Sequence, residues 1–400
     1  MYFQSIDDKE QCIGIYRDGV LEFDKDKMPA DFSGMRTWKY SGSILDEDVQ
    51  YGWLWASGAT LLDVCPPELQ PELSRMHKKM NAFRKSFEIA KIDFRQHCFF
   101  DLVPHDFLTA FLEVKNKITQ HAFETVEKPA TYEHLCALER LLYKIRYQEL
   151  NISTSDCRHL FSRSVHRARA NKITSGAPFI DYNIFGTKTG RLSTYPGSFP
   201  LLTMQKELRA LIKPRNDWFI SLDYNAAEAR TVIALLNERQ PEGDVHQWHM
   251  DTIFQNKGIT DRETAKTAFF SWLYNPASSQ FVEAPYDRGA LLDNHYKDGN
   301  IETPFGRSIE VVEFKALNYL IQSTTADLVN DRAVALDEFL QGTKSFVSHI
   351  VHDEVVLDMH DEDRQLLPEI KEIFAQNKLA KFEVNFNAGK DYYNLERLNV

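Results

Sequence analysis

The 400-residue sequence predicts an α+β fold, on three observations. Strand-forming residues dominate 1–66, helical periodicity dominates 67–180, and strands and helices are mixed beyond 181. In the first segment, "CIGIYRDGVLEF", "MRTWKYSGSIL" and "YGWLWASGATLL" are runs of β-branched and aromatic residues broken by turn residues. In the second, "PELQPELSRMHKKMNAFRKSFEIAKI", "PHDFLTAFLEVKNKITQHAF" and "TYEHLCALERLLYKIRYQEL" repeat apolar residues at helical spacing between Pro and Asn punctuation. In the third, "DWFISLD" is a buried strand and "AAEARTVIALLNE" the helix after it. "TDRETAKTAFFSWLYN" is a helix with Thr260 as N-cap and Glu263 three residues on, a capping-box spacing. "FKALNYLIQSTTADLVNDRAVALDEFL" is a long helix with a polar break near Ser323-Thr324-Thr325, and "KFEVNFNAG" is a closing strand. The sequence contains no internal repeat.

Bulk composition sets limits. The chain is 43% hydrophobic and 26% charged, as in soluble globular proteins. No run of eighteen apolar residues occurs, so no membrane partner is expected. The N-terminus is too polar and acidic for a targeting signal. Cys12, Cys65, Cys98, Cys136 and Cys157 are scattered, without zinc-finger spacing; reduced thiols, no structural zinc and a cytoplasmic location are expected. The net charge of −11 argues against a polyanionic partner, but its distribution is uneven. Residues 158–191 hold Arg158, Arg163, Arg167, Arg169, Lys172, Lys188 and Arg191 against one acid, Asp181. Arg75 to Arg95 form a second basic run. Each could be a solvated helix face; together they suit a polyanion held along a groove, with Arg163, Arg167 and Arg169 as its wall.

The chemistry concentrates in "FVSHIVHDEVVLDM", residues 346–359, which is a strand, a tight acidic turn and a second strand. A solvated turn would explain His352-Asp353-Glu354 taken alone. Asp223, at the end of the apolar strand "FISLD" and just before a helix, is a second carboxylate on a separate strand. A helix N-cap by Asp223 or Asn225 would explain that residue alone. Together, carboxylates from different strands meet the requirement of a two-metal phosphoryl-transfer site. Oxygen ligands with no competing His-rich set favour magnesium. In the helix after Thr260, Arg262, Lys266, Phe270 and Tyr274 recur every fourth residue and share one face. Two cations followed by two aromatics suit the phosphates and then the sugar and base of a nucleoside triphosphate. A core helix with snorkelling basic side chains is the competing explanation.

In order along 187–396, the sequence resembles the polymerase domain of the family A DNA polymerases, the bacterial DNA polymerase I class with its phage relatives. "TKTGRLS" resembles the family's TGRLS motif, and "LDYNAAEAR" resembles motif A, usually DYSQIELR. "GDVHQWHMDTIF" resembles the segment that opens the fingers. Arg262, Lys266, Phe270 and Tyr274 match the motif B helix, "TPFGR" resembles the TxxGR element, and "ALNYLIQSTTADLV" resembles NxxIQGTAADL. "VHDEVVLD" resembles motif C almost unaltered, and "AGKDYYNLE" resembles the family's C-terminal end.

The resemblance implies a right-hand polymerase architecture: an antiparallel palm sheet in 186–243 and 306–400, helical fingers in 244–305 and a helical thumb in 67–185. A small β-rich region, 1–66, would be a cap or an exonuclease relic. Asp223 and Asp353 would hold two Mg2+ ions, replaceable by Mn2+, with Glu354 in support. Arg262 and Lys266 would hold the triphosphate, with Lys266 donating a proton to pyrophosphate and His246 near the phosphates. Phe270 would pack on the nucleotide, Tyr274 guard the template-base position, and Glu228 exclude the ribose 2′ hydroxyl. Arg191, Asn318 and Gln322 would contact primer or template, with His352 near the primer terminus. The implied partners are primer–template DNA and deoxynucleoside triphosphates, bound by a monomer, with a processivity factor left open.

The chain departs from the family pattern at several places. Motif B lacks both glycines, Ala226 replaces a Gln, Ser198 and Pro200 replace minor-groove readers, Ile350 replaces a Gln, and Phe314 replaces an Arg. The duplex-sensing set is thinned while the catalytic set is complete. Residues 1–66 contain no persuasive DxE strand, so synthesis without proofreading is expected, and the divergence points to a phage source. A single-subunit RNA polymerase, an inactive remnant that binds primer–template, and a metal-dependent nuclease are the alternatives. Glu228 argues against the first, the intact charged set against the second, and the basic–aromatic helix against the third.

Overall fold

The computed structural model describes residues 5–9, 11–24, 27, 36–40, 49–155, 157–162, 164–254, 258–275 and 286–399. They fall into two compact units, Met1–Cys136 and Ala137–Val400.

The first unit opens with an antiparallel meander of β1 (Ser5–Asp8), β2 (Ile13–Arg17) and β3 (Val20–Glu22). Its second turn is Asp18-Gly19 at φ of 51° and 86°, the left-handed pair that lets a two-residue turn follow strand twist. β4 (Arg36–Thr37) and β5 (Gln50–Tyr51) pair in parallel. The helices are α1 (Gly52–Trp55), α2 (Gln70–Ile89), α3 (Phe99–Leu102), α4 (His105–Thr125) and α5 (Tyr132–Tyr147), the last crossing the division between units. Leu73 and Met76 of α2 pack against Val114 and Ile118 of α4, as the helical spacing predicts. Cys12 and Cys98 form a disulfide with a Cα–Cα distance of 5.5 Å, which overturns the expectation of reduced thiols for that pair. Their separation of 86 residues hid it: only folding brings the start of β2 beside α3. Cys65, Cys136 and Cys157 are buried and form no disulfide. Among the described residues no helix is long and apolar enough to cross a membrane.

The second unit contains β6 (Asn151–Ile152), α6 (Ser164–Thr174), β7 (Tyr182–Asn183), β8 (Ser193–Thr194), β9 (Ile212–Lys213), β10 (Trp218–Tyr224), α7 (Ala227–Leu235), α8 (Val245–Thr252) and α9 (Arg262–Tyr274). It continues with α10 (Arg288–His295), β11 (Tyr296–Lys297), β12 (Asn300–Glu302), β13 (Ser308–Glu310), α11 (Glu313–Phe339), β14 (Phe346–Val351), β15 (Glu354–Met359), α12 (Leu367–Ala375), β16 (Val384–Gly389) and β17 (Glu396–Arg397). Its main sheet is antiparallel, in the order β14-β15-β10-β16-β17. Successive side chains of β10 alternate between its faces. Tyr224 stacks on Phe374 of α12 with ring centroids 4.4 Å apart, and its hydroxyl donates to the Phe374 carbonyl. That fixes Ile220, Leu222 and Tyr224 on the helix-covered face and puts Phe219, Ser221 and Asp223 on the other. A one-residue slip would push Asp223 into the helices.

α11 runs unbroken for 27 residues, so the expected polar break near Ser323 is absent. Ser323, Thr324 and Thr325 are buried within it, and Thr325 Oγ1 lies 3.0 Å from Thr231 Oγ1 of α7. Burial excludes the water that would otherwise compete for the backbone, while the Ser323 and Thr324 hydroxyls have no hydrogen-bond partner among the described residues. α11 also buries Asp327, held by the side-on edge of Arg307: Nε donates at 2.9 Å and Nη2 at 2.6 Å. Gly190, at φ 75°, lies against that guanidinium, where a Cβ would come within 2.7 Å of it. The glycine of "TKTGRLS", the arginine of "TPFGR" and the aspartate of "TTADLV" thus meet at one point.

Candidate active site

Two strand ends bring the acids together. β14 and β15 are joined by the two-residue turn His352-Asp353, with exposed His352 in the left-handed region at φ 58°. β15 pairs antiparallel with β10, which sets Asp223 directly opposite Glu354 and one residue from Asp353. Asp223 accepts a hydrogen bond from Asn385 Nδ2 of β16 at 3.2 Å. Burial, then the neighbouring Asp353 carboxylate, raise its pKa from 3.8 to about 7. Glu354 is held in place: Ser221 Oγ donates to one oxygen at 2.5 Å and Tyr392 OH to the other at 2.6 Å.

The crowded carboxylates are a test of metal fit. Among the described residues no group of three or more His, Cys, Asp or Glu could hold a metal by itself. Asp223 and Asp353 offer hard oxygens whose mutual repulsion a dication would relieve. Mg2+ commonly takes one or two carboxylates and completes its shell with water and substrate phosphate. The donor set fits.

This makes a prediction with a defined sign. Because Asp223 has a folded pKa above its unfolded value, its contribution to the stability of the metal-free protein is lost as pH rises from about 4 to about 7 and then levels off. Asp223→Asn should flatten that slope and melt above wild type at pH 8. Mg2+ should raise the wild-type melting temperature more at pH 8 than at pH 5, because metal and proton compete for the same oxygens. Identical melting of both proteins at both pH values would refute the crowded pair.

α9 carries the second part. Its N-cap is Asp261, not the expected Thr260: the Asp261 carboxylate accepts the Thr264 backbone N–H at 2.9 Å and its charge suits the helix N-terminus. Ala265, Ala268, Phe269, Trp272 and Leu273 are buried, leaving Arg262, Lys266, Phe270 and Tyr274 along the outer face. Phe270 and Tyr274 stack at 5.7 Å with ring planes 8° apart. Tyr274 OH donates to Glu228 Oε2 at 2.7 Å, and Arg191 Nη2 donates to Glu228 Oε1 at 2.5 Å. Burial and then Glu228 raise the Tyr274 pKa to about 12, with Gln322 of α11 alongside. Asn318, one turn before Gln322, has a buried Oδ1 with no hydrogen-bond partner among the described residues.

His246 is 2% exposed on α8. Burial, and then Arg262 and Lys266 against the opposing pull of Asp244, lower its pKa to about 4, so it is neutral at pH 7. Ala226, between Asp223 and α7, is held at φ 54°, a left-handed strain that non-glycine residues rarely carry. The helix-cap reading of Asn225 is corrected: its Oδ1 accepts from Val245 N and its Nδ2 donates to Asp244.

Several residues at this site gave no signal in the sequence. Asp244, Asn385, Ser221 and Tyr392 sit on four different elements or loops, and each acts by reaching one of the expected residues. The expected DNA-binding run is less unified. Arg167 and Arg169 are exposed on α6, but two residues apart on a helix they point about 200° apart. Arg167 Nε donates to the Phe161 carbonyl. Arg163 lies outside the described residues.

Comparison with known proteins gives sequence and fold likeness. No family model matches the chain. The thermostable DNA polymerase I of Thermus aquaticus is 25% identical over 264 residues, covering 53% of this chain and 32% of that protein. The chain thus matches about a third of that relative's length. The POL domain of Pol1 from M. smegmatis, solved in complex with DNA primer-template and dNTP, has a similar fold. Its TM-score is 0.53 at 14% identity, covering 72% of this chain and 76% of that one. The chain thus shares the mixed helix-and-sheet fold of a polymerase domain. The sequence likeness is to a DNA polymerase I, in line with the motif resemblance to family A.

Proposed function

We propose that the chain is a template-directed DNA polymerase that adds deoxynucleotides to a primer 3′ end and lacks proofreading. The observation that carries this reading is the meeting of Asp223 and Asp353 at two paired strand ends. In this reading, residues 186–243 and 306–400 are the palm and 244–305 the fingers. Residues 67–185 are the thumb and 1–66 a cap.

Asp223 and Asp353 hold the metals; bound Mg2+ supplies activation of the primer hydroxyl and charge relief at the leaving phosphate. Arg262 and Lys266 grip the triphosphate from the outer face of α9, and Lys266 is the proton donor to pyrophosphate. Neutral His246 stays near the phosphates, and Phe270 packs on the nucleotide. Arg191, Asn318, Gln322 and His352 meet primer or template, and exposed Arg167 and Arg169 add phosphate contacts with Arg163. Glu354, which accepts one hydrogen bond on each oxygen from Ser221 and Tyr392, holds the hairpin tip in register beside the two metal ligands. The absence of proofreading is supported by the acids of β1. Asp7 accepts from Phe99 N and pairs with Lys9, and Asp8 accepts from Tyr40 OH, so both are engaged structurally.

Primer extension with labelled oligonucleotides, with and without Mg2+, tests the reading. A mismatched primer end incubated without nucleotides should stay intact. Sugar choice is a sharper test. Glu228, 9% exposed and fixed by Arg191 and Tyr274, blocks the space of a 2′ hydroxyl. Glu228→Ala should raise ribonucleotide use relative to deoxynucleotide by roughly 10-fold or more, the scale of removing one specific steric contact. A wild-type preference for ribonucleotides would replace this reading with an RNA-polymerase one.

A further inference from the structure

Arg262 meets carboxylates at all three guanidinium nitrogens. Nε donates to Asp244 Oδ1 at 3.1 Å, Nη2 to Asp244 Oδ2 at 2.8 Å, and Nη1 to Glu263 Oε1 at 2.5 Å. The fork that would grip a phosphate already grips a carboxylate of similar shape. The two carboxylates differ in mobility. The Glu263 side chain is 72% exposed and can swing away. Asp244 is fixed: it accepts the Gln247 backbone N–H at 2.9 Å as N-cap of α8 and Asn225 Nδ2 at 3.1 Å. Asn225 is two residues beyond Asp223, so the Arg262–Asp244 pair ties the first turn of α9 to the strand end that carries the candidate metal ligand.

We infer that Asp244 is an internal competitor for the incoming triphosphate: it occupies Arg262 until a nucleotide takes the guanidinium, and so sets nucleotide affinity. This rests on the nucleotide-site reading above. A phosphate cannot reach the side-on edge of Arg262 while Asp244 holds it, and Asp244, anchored from two sides, cannot follow the arginine outward. Each binding event therefore exchanges one charge-assisted pair for another. The Arg262 side chain is 41% exposed and that of Asp244 29%, so the pair is partly screened by water. A pair of that exposure shifts an equilibrium by roughly two- to fivefold.

The test measures affinity without turnover. The full chain is bound to a primer–template whose primer lacks a 3′ hydroxyl, in Mg2+, and the next correct deoxynucleoside triphosphate is titrated against a fluorescent template label. Asp244→Asn keeps a good N-cap acceptor and removes the charge. It should tighten nucleotide binding by roughly two- to fivefold, with the difference shrinking as salt rises. In an Arg262→Ala background the same substitution should change nothing, since the competition is gone. Unchanged or weaker binding by Asp244→Asn overturns the inference and makes Asp244 a positioning residue. Equal tightening with and without Arg262 also overturns it, as a general charge effect. Lys266→Ala separates this from the site itself. If Lys266→Ala binds nucleotide as tightly as wild type, the phosphate site is wrong and the inference falls with it. If Lys266→Ala binds weakly while Asp244→Asn is unchanged, only the inference fails.

Discussion

Replacing Asp353 by Ala should abolish primer extension while leaving DNA affinity near wild type. Asp353 sits half-buried in the turn between β14 and β15, where its carboxylate crowds that of Asp223. Its removal therefore costs little stability. In the proposed reading the charge it would help position acts on the transition state, and losing one such preorganised group lowers rates by about 10²–10³-fold or more. DNA affinity comes from contacts to phosphates, which the substitution does not remove. It also deletes a negative charge, so binding should hold or tighten slightly. Single-turnover extension and a binding titration on the same preparation check both halves. Extension at the wild-type rate would end the metal-site reading, and DNA affinity lost along with activity would mean that the hairpin is structural.

Arg307→Ala should be the most destabilising of the single substitutions considered. Asp327, 0% exposed, pairs bidentately with the Nε–Nη2 edge of Arg307. Removing the arginine leaves a buried carboxylate without its cation, at a cost of about 3–5 kcal/mol. For a unit of this size that is a drop on the order of 10 °C in melting temperature. The loop at Gly190, which lies against the guanidinium, should loosen as well. The double variant Arg307→Ala, Asp327→Ala should recover part of the loss, because no buried charge is then orphaned. Thermal melts of the four proteins decide it. A single variant that melts within about 1 °C of wild type would show that Asp327 does not depend on Arg307 for compensation of its charge.

The sequence was legible where chemistry follows local periodicity. Arg262, Lys266, Phe270 and Tyr274 share a face because their spacing matches one helical turn, and the structure leaves that face outward. The hairpin that presents Asp353 was legible because two apolar runs flank a two-residue acidic turn. Local pattern was silent wherever a long-range partner decides. Nothing near Thr260 and Asp261 reveals which will cap α9, because both are good N-caps and neighbouring geometry chooses. The polar stretch at Ser323 looked like a break because the segments that bury it are distant in sequence: the partner of Thr325, Thr231, lies 94 residues away.

By itself the sequence determined which residue types share a helix face, which turn holds the acids and which motifs follow one another. The tertiary structure decided the rest: that β10 lies between β15 and β16, so that Asp223 gains Asp353 on one side and Asn385 on the other. It also decided that Arg262 is held by Asp244, and that Cys12 meets Cys98. The physical reason is common to all three. Electrostatic and hydrogen-bond partners are chosen by distance in space, and side-chain periodicity carries no information about which distant segment the sheet register or helix packing will bring within 3 Å.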